Sequence, residues 1–521
     1  MKKLITFNRS VKPKKLKTIK QNSASKQINA DSCNIAEWFR RELAGNADMV
    51  FRELMIGGRE DLNATLIYMY GNTDKNLLND NVIKPLIEYR GAGENNSDKG
   101  TLAKRIARSC ISIGKVKIVS NKGIAKDAVF QGNVLLIINN MDKILILEIT
   151  EEKSRSITEP ENEKTLRGSK EGFIENIWAN IAMIRKTLPD TTLKTEIFKV
   201  GVRTKTSLAI IYVESLAEDR LVSEVRNRIS KIDIDGVIAD GYVEAFIEDN
   251  PYSPFPQVLG TEKPDKVVAA LLEGRIAILL DRTPFVLLVP AQFIQFFQAP
   301  EDYYERFHMG VYISILRVIA FVVTTTAAPA YIALTSYHPE LAPPDLLLNI
   351  ARLRKQVQFP PVVEALTMEF VIEALREAGL RLPTAVAAML GVVGGIILGD
   401  AAVKSNLVSP SMIIVVTITI ICNFVIPNYS MTLVIRIIRL FLIILAATFG
   451  AFGITLGWTV IIIHLCRLES FSLPYFAPLA PTRFRDFRDL FVRVPIWAMK
   501  LRPDSIPVKD KRRLNNKREQ K

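Results

Sequence analysis

The sequence predicts an α+β soluble N-terminal region of two subdomains, followed by an all-α polytopic membrane domain. Between residues 401 and 468 the chain contains no Asp or Glu, and its only Lys or Arg residues there are Lys404, Arg436, Arg439 and Arg467. A charged side chain at the centre of a bilayer costs roughly 3 kcal/mol on insertion scales, so this composition indicates burial in a membrane. The first half of the chain has the mixed composition of a soluble protein.

The net charge of +14 is concentrated at the two ends of the chain. Eight Lys or Arg residues lie between residues 2 and 20, and six lie between residues 509 and 518. Basic ends beside a membrane domain follow the positive-inside bias, worth about 1 kcal/mol per cation, and this favours membrane lipid over nucleic acid as the partner. The sequence therefore predicts that both ends are cytoplasmic, with residues 1–30 disordered and residues 481–521 forming a basic cytosolic tail.

The soluble region is predicted to contain two mixed subdomains, residues 31–150 and 165–270, joined by a charged link. In the first we expect a helix at 35–43, strands at 63–70 and 114–119, and a hairpin of 134–138 with 144–149. In the second we expect a helix at 172–186, a strand at 207–213, a helix at 216–229 and a helix-like run at 243–247.

Residues 271–480 are predicted to form the membrane domain. Its first apolar runs, 276–280 and 284–297, are too short to span a bilayer and are interpreted as re-entrant or interfacial. Longer runs predict spans at about 311–334, 384–404, 411–427 and 434–466.

The number of spans is left open between four, which we prefer, and six. As one helix the run 434–466 would be roughly 50 Å long, much more than a ~30 Å hydrocarbon core, and Gly450, Gly453 and Gly457 offer places to break it. Arg317 lies near the end of the first span, where its side chain is expected to snorkel to the headgroups.

Small residues recur at every fourth position in the second predicted span. Ala387, Gly391, Gly395 and Gly399 lie on one helical face and allow another helix to approach closely. This face is either packing within one subunit or the lining of a pore formed by several copies. Asp400 and the nearby Lys404 are four residues apart, which favours a plain salt bridge slightly over a charged ring at a pore mouth.

An amphipathic helix is predicted after the prolines at 360 and 361. Glu369, Glu373, Arg376 and Glu377 share one face, and Glu364 lies on the opposite, apolar face. Such a carboxylate is a candidate ion or coupling site at a membrane. The competing interpretation is that Glu364, in the first helical turn, only stabilises the helix dipole.

Signatures of catalysis, metal binding and cofactor binding are missing from the sequence. The glycines at 91 and 93 lack the third glycine of a dinucleotide loop, and no Walker lysine or catalytic triad can be nominated. The four cysteines have no regular spacing and only three histidines exist, which disfavours a disulfide set and a zinc site. We therefore predict a protein that is not an enzyme and holds no metal or cofactor.

Many short strings, in one order, resemble the A subunit of the GerA-type spore germinant receptors. The resemblance covers roughly residues 167–503 and rests on Ser253-Pro-Phe-Pro256, Leu272-Glu-Gly-Arg-Ile-Ala-Ile278, Pro300-Glu-Asp-Tyr-Tyr304, Phe359-Pro-Pro-Val-Val-Glu364, Leu375-Arg-Glu-Ala-Gly379, Leu407-Val-Ser-Pro410 and Arg493-Val-Pro-Ile-Trp497. Two departures are the charged pair Asp400 and Lys404, and Ser472 with Leu473 in place of an expected glycine.

The resemblance implies a subunit of a nutrient-sensing complex in the inner membrane of a bacterial endospore. It implies a B-type nutrient-binding membrane subunit and a C-type lipoprotein as partners, and a homo-oligomer, as a pentamer, that forms a ligand-gated cation channel. The alternative function is a non-conducting scaffold that anchors the other two subunits. A secondary transporter is less favoured because no repeated hydrophobic halves are visible.

Overall fold

The computed structural model describes residues 35–59, 62–89, 103–139, 141–149, 160, 163, 167–383, 386, 399–489 and 494–513. Ala387, Gly391 and Gly395 lie outside the described residues, as do the predicted disordered start and most of the predicted span 384–404. The described chain contains two five-stranded antiparallel sheets, each with helices on both faces, followed by a layer of helices and a two-stranded hairpin. The predicted fold class, an α+β region followed by an all-α region, is confirmed.

The first sheet has five strands in the order β1-β2-β4-β5-β3, and all neighbours are antiparallel. The strands are β1 (Met49–Met55), β2 (Asn63–Met69), β3 (Val116–Val119), β4 (Val134–Ile138) and β5 (Ile144–Leu147). One face packs against α1 (Ile35–Glu42) and α2 (Lys122–Phe130). The other face packs against the short helical segments Lys75–Leu78, Asn79–Ile83, Lys84–Ile87 and Ile106–Cys110.

The second sheet has the order β6-β7-β9-β10-β8, again with antiparallel neighbours throughout. Its strands are β6 (Leu193–Val200), β7 (Thr206–Val213), β8 (Leu259–Thr261), β9 (Ile276–Leu280) and β10 (Val286–Val289). One face packs against α3 (Ile177–Thr187) and α6 (Pro264–Leu272), and the other against α4 (Asp219–Ser230) and α5 (Asp240–Ile247).

The two sheets with their helices are structural repeats of one unit. The order of strands along each sheet is the same, and α2 and α6 each have nine residues and follow the third strand of their sheet. Both helices end in the same way, at Gly132 and Gly274, whose φ angles are 90° and 83°. The amide after each glycine donates to the carbonyl five residues before it, over 3.1 Å in both cases. Glycine is favoured at this left-handed cap because it has no Cβ.

The predicted elements of the soluble region are confirmed, but the predicted start of the membrane domain is wrong. Residues 276–280 and 286–289 are central strands of the second sheet, and Phe293–Phe297 is a buried 3₁₀ helix, so none of them is an interfacial membrane segment. Both faces of β9 and β10 are covered by helices, and such strands have the same uninterrupted apolar sequence as a membrane-dipping segment. The sequence also did not predict β1, β6, α2 or α6.

A fully buried arginine joins the two repeats. Nε and Nη2 of Arg185 donate to the two carboxylate oxygens of Asp48 over 2.9 and 3.0 Å. Nη2 also donates to Asn46 and Thr195, and Nη1 donates to the carbonyl of Leu193. The first two partners, Asn46 and Asp48, precede β1, and the other two lie on β6, so one guanidinium crosses from repeat to repeat.

The C-terminal segment packs against the second repeat. The amide of Lys509 donates to Leu216 and its Nζ lies 2.6 Å from Asp219, while Nε of Arg502 donates to the carbonyl of Leu272. The part of the predicted basic tail between residues 501 and 513 is therefore held on the α+β region. Remaining short elements are Glu301–Tyr304, Pro339–Leu341, Glu469–Ser470, Leu473–Pro474, Asp486–Asp489 and Ile496–Ala498.

Within the described residues, six helices form the helical layer. They are α7 (Phe307–Ser336), α8 (Pro344–Arg354), α9 (Pro361–Arg381), α10 (Gly399–Lys404), α11 (Pro410–Phe424) and α12 (Tyr429–Arg467). Two of the described helices, α7 and α12, are long and apolar enough to cross a membrane.

The α12 segment bends back on itself at Gly450, where φ is 59° and ψ is −138°. A Cβ on Gly457 would lie 2.5 Å from Cδ2 of Leu442, although these residues would be roughly 22 Å apart along a straight helix. A Cβ on Gly453 would lie 2.0 Å from the carbonyl oxygen of Leu445. The two halves of α12 are therefore an antiparallel hairpin, and the predicted run 434–466 does break at one of its three glycines.

Contacts along the helices give their directions. Phe321, in the first half of α7, packs on Phe297, and the far end of α7 reaches the bend of α12 through the Tyr337 hydroxyl and the carbonyl of Ala447. The Tyr331 hydroxyl lies 3.3 Å from Oγ of Ser409, just before α11. Near the other end of α11, the carbonyl of Thr419 accepts from Thr324. Helix α11 is thus antiparallel to α7.

We predict that Arg185→Ala destabilises the contact between the repeats by about 3–5 kcal/mol, because Asp48 would be left buried and unpaired. The measurement is thermal unfolding of the full-length protein, together with limited proteolysis between the repeats. Lys186→Ala, at the exposed neighbouring position, is the matched control. Equal unfolding temperatures for the two variants would contradict this role of Arg185.

We predict that Gly450→Ala destabilises the helical layer by about 2 kcal/mol or more, because a side chain is strained at this φ and ψ. Its Cβ would also lie 2.8 Å from Cβ of Tyr337. Gly379→Ala in α9 is the control: its Cβ would meet nothing within 4 Å, and the exchange should stabilise the helix slightly. Thermal unfolding in detergent measures both, and a Gly450 variant as stable as the control would refute the bend.

Candidate functional site

The charged candidates of the sequence analysis occupy different environments. Gly399 begins α10, and a Cβ built on it would meet no atom within 4 Å. In the same helix Nζ of Lys404 lies 2.6 Å from Oδ2 of Asp400, and both side chains are more than half exposed. An exposed pair of this kind contributes only about 0.3–0.5 kcal/mol. The roles of these residues in a pore or its mouth stay predictions.

Glu364 is buried where three helices meet. Its Oε2 accepts hydrogen bonds from the amide and the hydroxyl of Ser409, over 2.9 and 2.8 Å. Its Oε1 accepts from Nη2 of Arg354, at the end of α8, over 3.2 Å. The side chain of Glu364 is 0% exposed. One carboxylate therefore connects α8, α9 and the start of α11.

The geometry explains why a carboxylate is stable at this buried position. Ser409 is the N-cap of α11, and its hydroxyl accepts from the amide of Met412 while donating to Glu364. The start of a helix has unpaired N–H groups and a partial positive charge, which attract an anion. Glu364 does lie in the first turn of its own helix, but its oxygens reach the start of a different helix. The sequence could not show this second contact.

Two further ion pairs join α9 to the first half of α12. Glu369 pairs with Arg439, and Glu373 pairs with Arg436. As the numbers rise along α9 they fall along α12, so the two helices are antiparallel. The face of α9 that the sequence predicted to be charged is therefore partly covered by α12. The sequence did contain a signal for these pairs: the two carboxylates are four residues apart and the two arginines three apart, so each pair lies on one helical face.

Arg317 does not snorkel to the membrane surface, which corrects the prediction. Its guanidinium is buried, and Nη1 donates to a carboxylate oxygen of Asp302 and to the carbonyl of Phe297. Asp302 lies in the short helix Glu301–Tyr304, which packs beside the start of α7. Once a carboxylate is available inside, an ion pair removes the need to reach water.

Aromatic side chains fill the contact between the second repeat and the helical layer. Phe293 and Phe297 pack edge-on against Phe321 of α7, with ring centroids 5.9 and 5.2 Å apart. Oγ of Ser253, in the proline-rich segment, lies 2.9 Å from Nε2 of His464 in α12. This contact makes one continuous core of the second repeat and the ends of the helices. The second repeat and the ends of the helices therefore cannot move independently at this contact.

The repeats differ at one equivalent groove. In the first repeat a cavity of 310 Å³ lies between α2 and the edge of the sheet and is lined by charged residues that include Lys115, Lys117 and Glu148. In the second repeat Glu163 occupies the corresponding place, bound to Thr261 and Lys266. Burial raises the pKa of Glu163, but Lys266, Thr261 and the backbone amide of Glu262 outweigh burial and lower this pKa overall.

The turn between Glu469–Ser470 and Leu473–Pro474 takes the left-handed conformation although it has no glycine. Phe471 and Ser472 have φ angles of 51° and 60°. The amide of Phe471 donates to Asp249, and Arg228 lies over its ring. These contacts hold in place a backbone that glycine would adopt more easily.

Among the described residues, no group of three or more His, Cys, Asp or Glu could hold a metal ion.

Comparisons with known proteins identify relatives along most of the chain. The family described as Bacillus/Clostridium GerA spore germination protein matches residues 37–505. Spore germination protein KA of Bacillus subtilis is 40% identical over 92% of this chain and 87% of that protein. The uncharacterized membrane protein YfkQ of the same organism is 39% identical over 88% of each chain.

Solved structures also show a similar chain. It comes from the crystal structure of the N-terminal domain of the A subunit of the Bacillus megaterium spore germinant receptor GerK3. The identity is 31%, the match covers 49% of this chain and 93% of that chain, and the TM-score is 0.39.

We predict that Glu364→Ala destabilises the helical layer by about 3 kcal/mol, because Arg354 and the amide of Ser409 would lose a buried partner. Glu364→Gln should cost less, since an amide oxygen can still accept from Ser409. Glu377→Gln, at an exposed position of the same helix, is the control. Thermal unfolding in detergent provides the measurement. Equal unfolding temperatures for the three variants would show that Glu364 does not stabilise the contact between α8, α9 and α11.

Proposed function

This chain belongs to the family of Bacillus and Clostridium GerA spore germination proteins, and we propose that it is a membrane-embedded subunit of a germinant receptor. The supporting observation is a family match over nearly the whole chain, combined with helices of membrane-spanning length next to the two sheets. One relative is named a membrane protein and others are named spore germination proteins. The absence of an enzymatic role remains a prediction.

We propose that the helical layer crosses the inner membrane of the spore six times. The hairpin of α12 returns to the side of the sheets, so the run 434–466 counts twice, and α7, α9 and α11 each traverse the layer once. The chain must also pass from the end of α9, on the sheet side, to α10, whose end lies near Glu364. Six passages leave both ends on the side of the sheets, which the basic termini favour as the cytoplasm.

We propose that several copies of this chain surround a cation pathway. The segment 384–404 would line it with Ala387, Gly391, Gly395 and Gly399, because small residues allow close packing about an axis. Asp400 with Lys404 would stand at its mouth. A nutrient bound by a B-type subunit, with a C-type lipoprotein in the complex, would open the pathway by binding more tightly to the open arrangement.

The contacts of the helical layer support a route for such coupling. Glu364 fixes the start of α11 relative to α8 and α9, and α9 leads directly to the segment 384–404. The aromatic contact and the Arg317 ion pair connect the other end of the layer to the second repeat. A movement in the α+β region therefore has rigid elements along which it can reach α9.

We predict that Gly395→Leu changes the rate of cation release from germinating spores by about tenfold, which corresponds to 1.4 kcal/mol in the gating equilibrium. The receptor should still assemble, as judged by recovery of its other subunits with this chain. Gly379→Leu is the matched control, since its Cβ faces open space. Normal release from an assembled Gly395 variant would favour the scaffold function instead.

The number of copies can be tested by cross-linking. A single cysteine introduced at Val393 should give a ladder of covalent oligomers if copies meet along this segment. A correctly folded complex that contained one copy of the chain would end the channel proposal while leaving the family assignment intact.

A further inference from the structure

Three arginines from two helices meet near the sheet side of the helical layer. Arg436 and Arg439 lie on the first half of α12 and bind Glu373 and Glu369 of α9. Arg376, three residues beyond Glu373, lies within electrostatic range of both of these arginines. The arginine cluster, defined as Arg376, Arg436 and Arg439, therefore carries one positive charge more than its two carboxylates neutralise.

Several polar atoms of this cluster have no partner. Nε of Arg439 and Nη2 of Arg436 are buried without an acceptor, and the Arg439 side chain is only 4% exposed. Among the described residues, no hydrogen-bond acceptor is found for the half-buried Arg376. Oε1 of Glu369 is likewise buried without a donor. Buried polar atoms without partners are costly, so the two ion pairs alone do not satisfy every polar atom of this site.

Exposed apolar side chains lie on the same stretches of α9 and α12 as the cluster, whose Arg376 and Arg436 are partly exposed. Phe370 on α9 is 74% exposed, and Ile437 on α12 is 56% exposed. Leu433 is also exposed, and Tyr429 lies at the start of α12, where an aromatic ring with a hydroxyl suits the boundary of a membrane. An anion that reaches the cluster from this side would have apolar surface beside it.

We propose that the arginine cluster binds the phosphate group of an anionic membrane lipid. A guanidinium donates two parallel hydrogen bonds to phosphate oxygens, and the acyl chains would lie along Phe370, Leu433 and Ile437. The proposal rests on the membrane location of the helical layer and not on channel activity.

The test compares full-length wild-type protein with Arg376→Gln and Arg381→Gln in detergent micelles. Arg376→Gln removes the excess charge without breaking either ion pair. Arg381→Gln makes the same change in charge on the same helix, at the exposed pair with Glu377. Binding of fluorescent phosphatidylglycerol is measured at physiological salt, with phosphatidylcholine as the zwitterionic reference.

Wild type should prefer phosphatidylglycerol, and Arg376→Gln should weaken its affinity by about tenfold, the effect of losing one charged hydrogen-bonding group. Arg381→Gln should leave the affinity unchanged. No preference over phosphatidylcholine, or equal losses in the two variants, would overturn the proposal. Binding of inorganic phosphate with the same affinity as phosphatidylglycerol would overturn the lipid assignment in favour of a soluble phosphate.

Two further measurements separate a loss of lipid binding from a failure to fold and from a failure of the channel proposal. Thermal unfolding shows whether Arg376→Gln is folded; if it is not, Arg376→Lys keeps the charge, removes the planar fork and should bind the lipid more weakly than wild type. A protein that binds phosphatidylglycerol normally but forms no conducting oligomer would contradict the channel and leave the lipid site standing. Normal lipid binding by a folded Arg376→Lys protein would count against recognition by the guanidinium.

Discussion

The relative position of the two repeats depends on one buried guanidinium. Arg185, on α3 of the second repeat, donates hydrogen bonds to four residues, and two of them, Asn46 and Asp48, belong to the first repeat. Next to it the chain before β1 forms a parallel bridge to β6, between Asn46 and Thr195. Because a buried charge without its partner is so costly, the repeats cannot separate at this point without a large loss of free energy. They therefore act as one body.

This constraint gives the two repeats different roles. The second repeat shares one core with the ends of the helices, and Glu163 binds Thr261 of its β8 and Lys266 of its α6. The first repeat has the same strand order, but its equivalent groove is open and charged. The first repeat thus presents an open, charged groove, while the second packs against the helices.

Much of this arrangement could be predicted from local sequence, and the failures have physical causes. Hairpins and helices with clear periodicity, such as 134–138 with 144–149, were predicted correctly. Strand β6 was missed because three polar residues in a row, residues 194–196, interrupt the alternation that predicts a strand. Strand β9 was misassigned because a strand covered on both faces resembles a membrane segment. The break near Gly450 was foreseen as one of three choices. The partners of Arg317 and Glu364 depend on tertiary contacts that no local pattern contains.

The ion pairs of the helical layer follow from the same composition that first indicated a membrane. Because residues 401–468 have no carboxylate, each buried arginine of α12 must find its partner on another element. Helix α9 supplies both of these carboxylates, to Arg436 and Arg439. An outward movement of α9 would leave Arg436 and Arg439 without a carboxylate, because residues 401–468 offer no other. The two ion pairs therefore hold α9 against α12. The position of α9 in the layer is therefore fixed by charge, through these two arginines, whereas the apolar helices are held by packing.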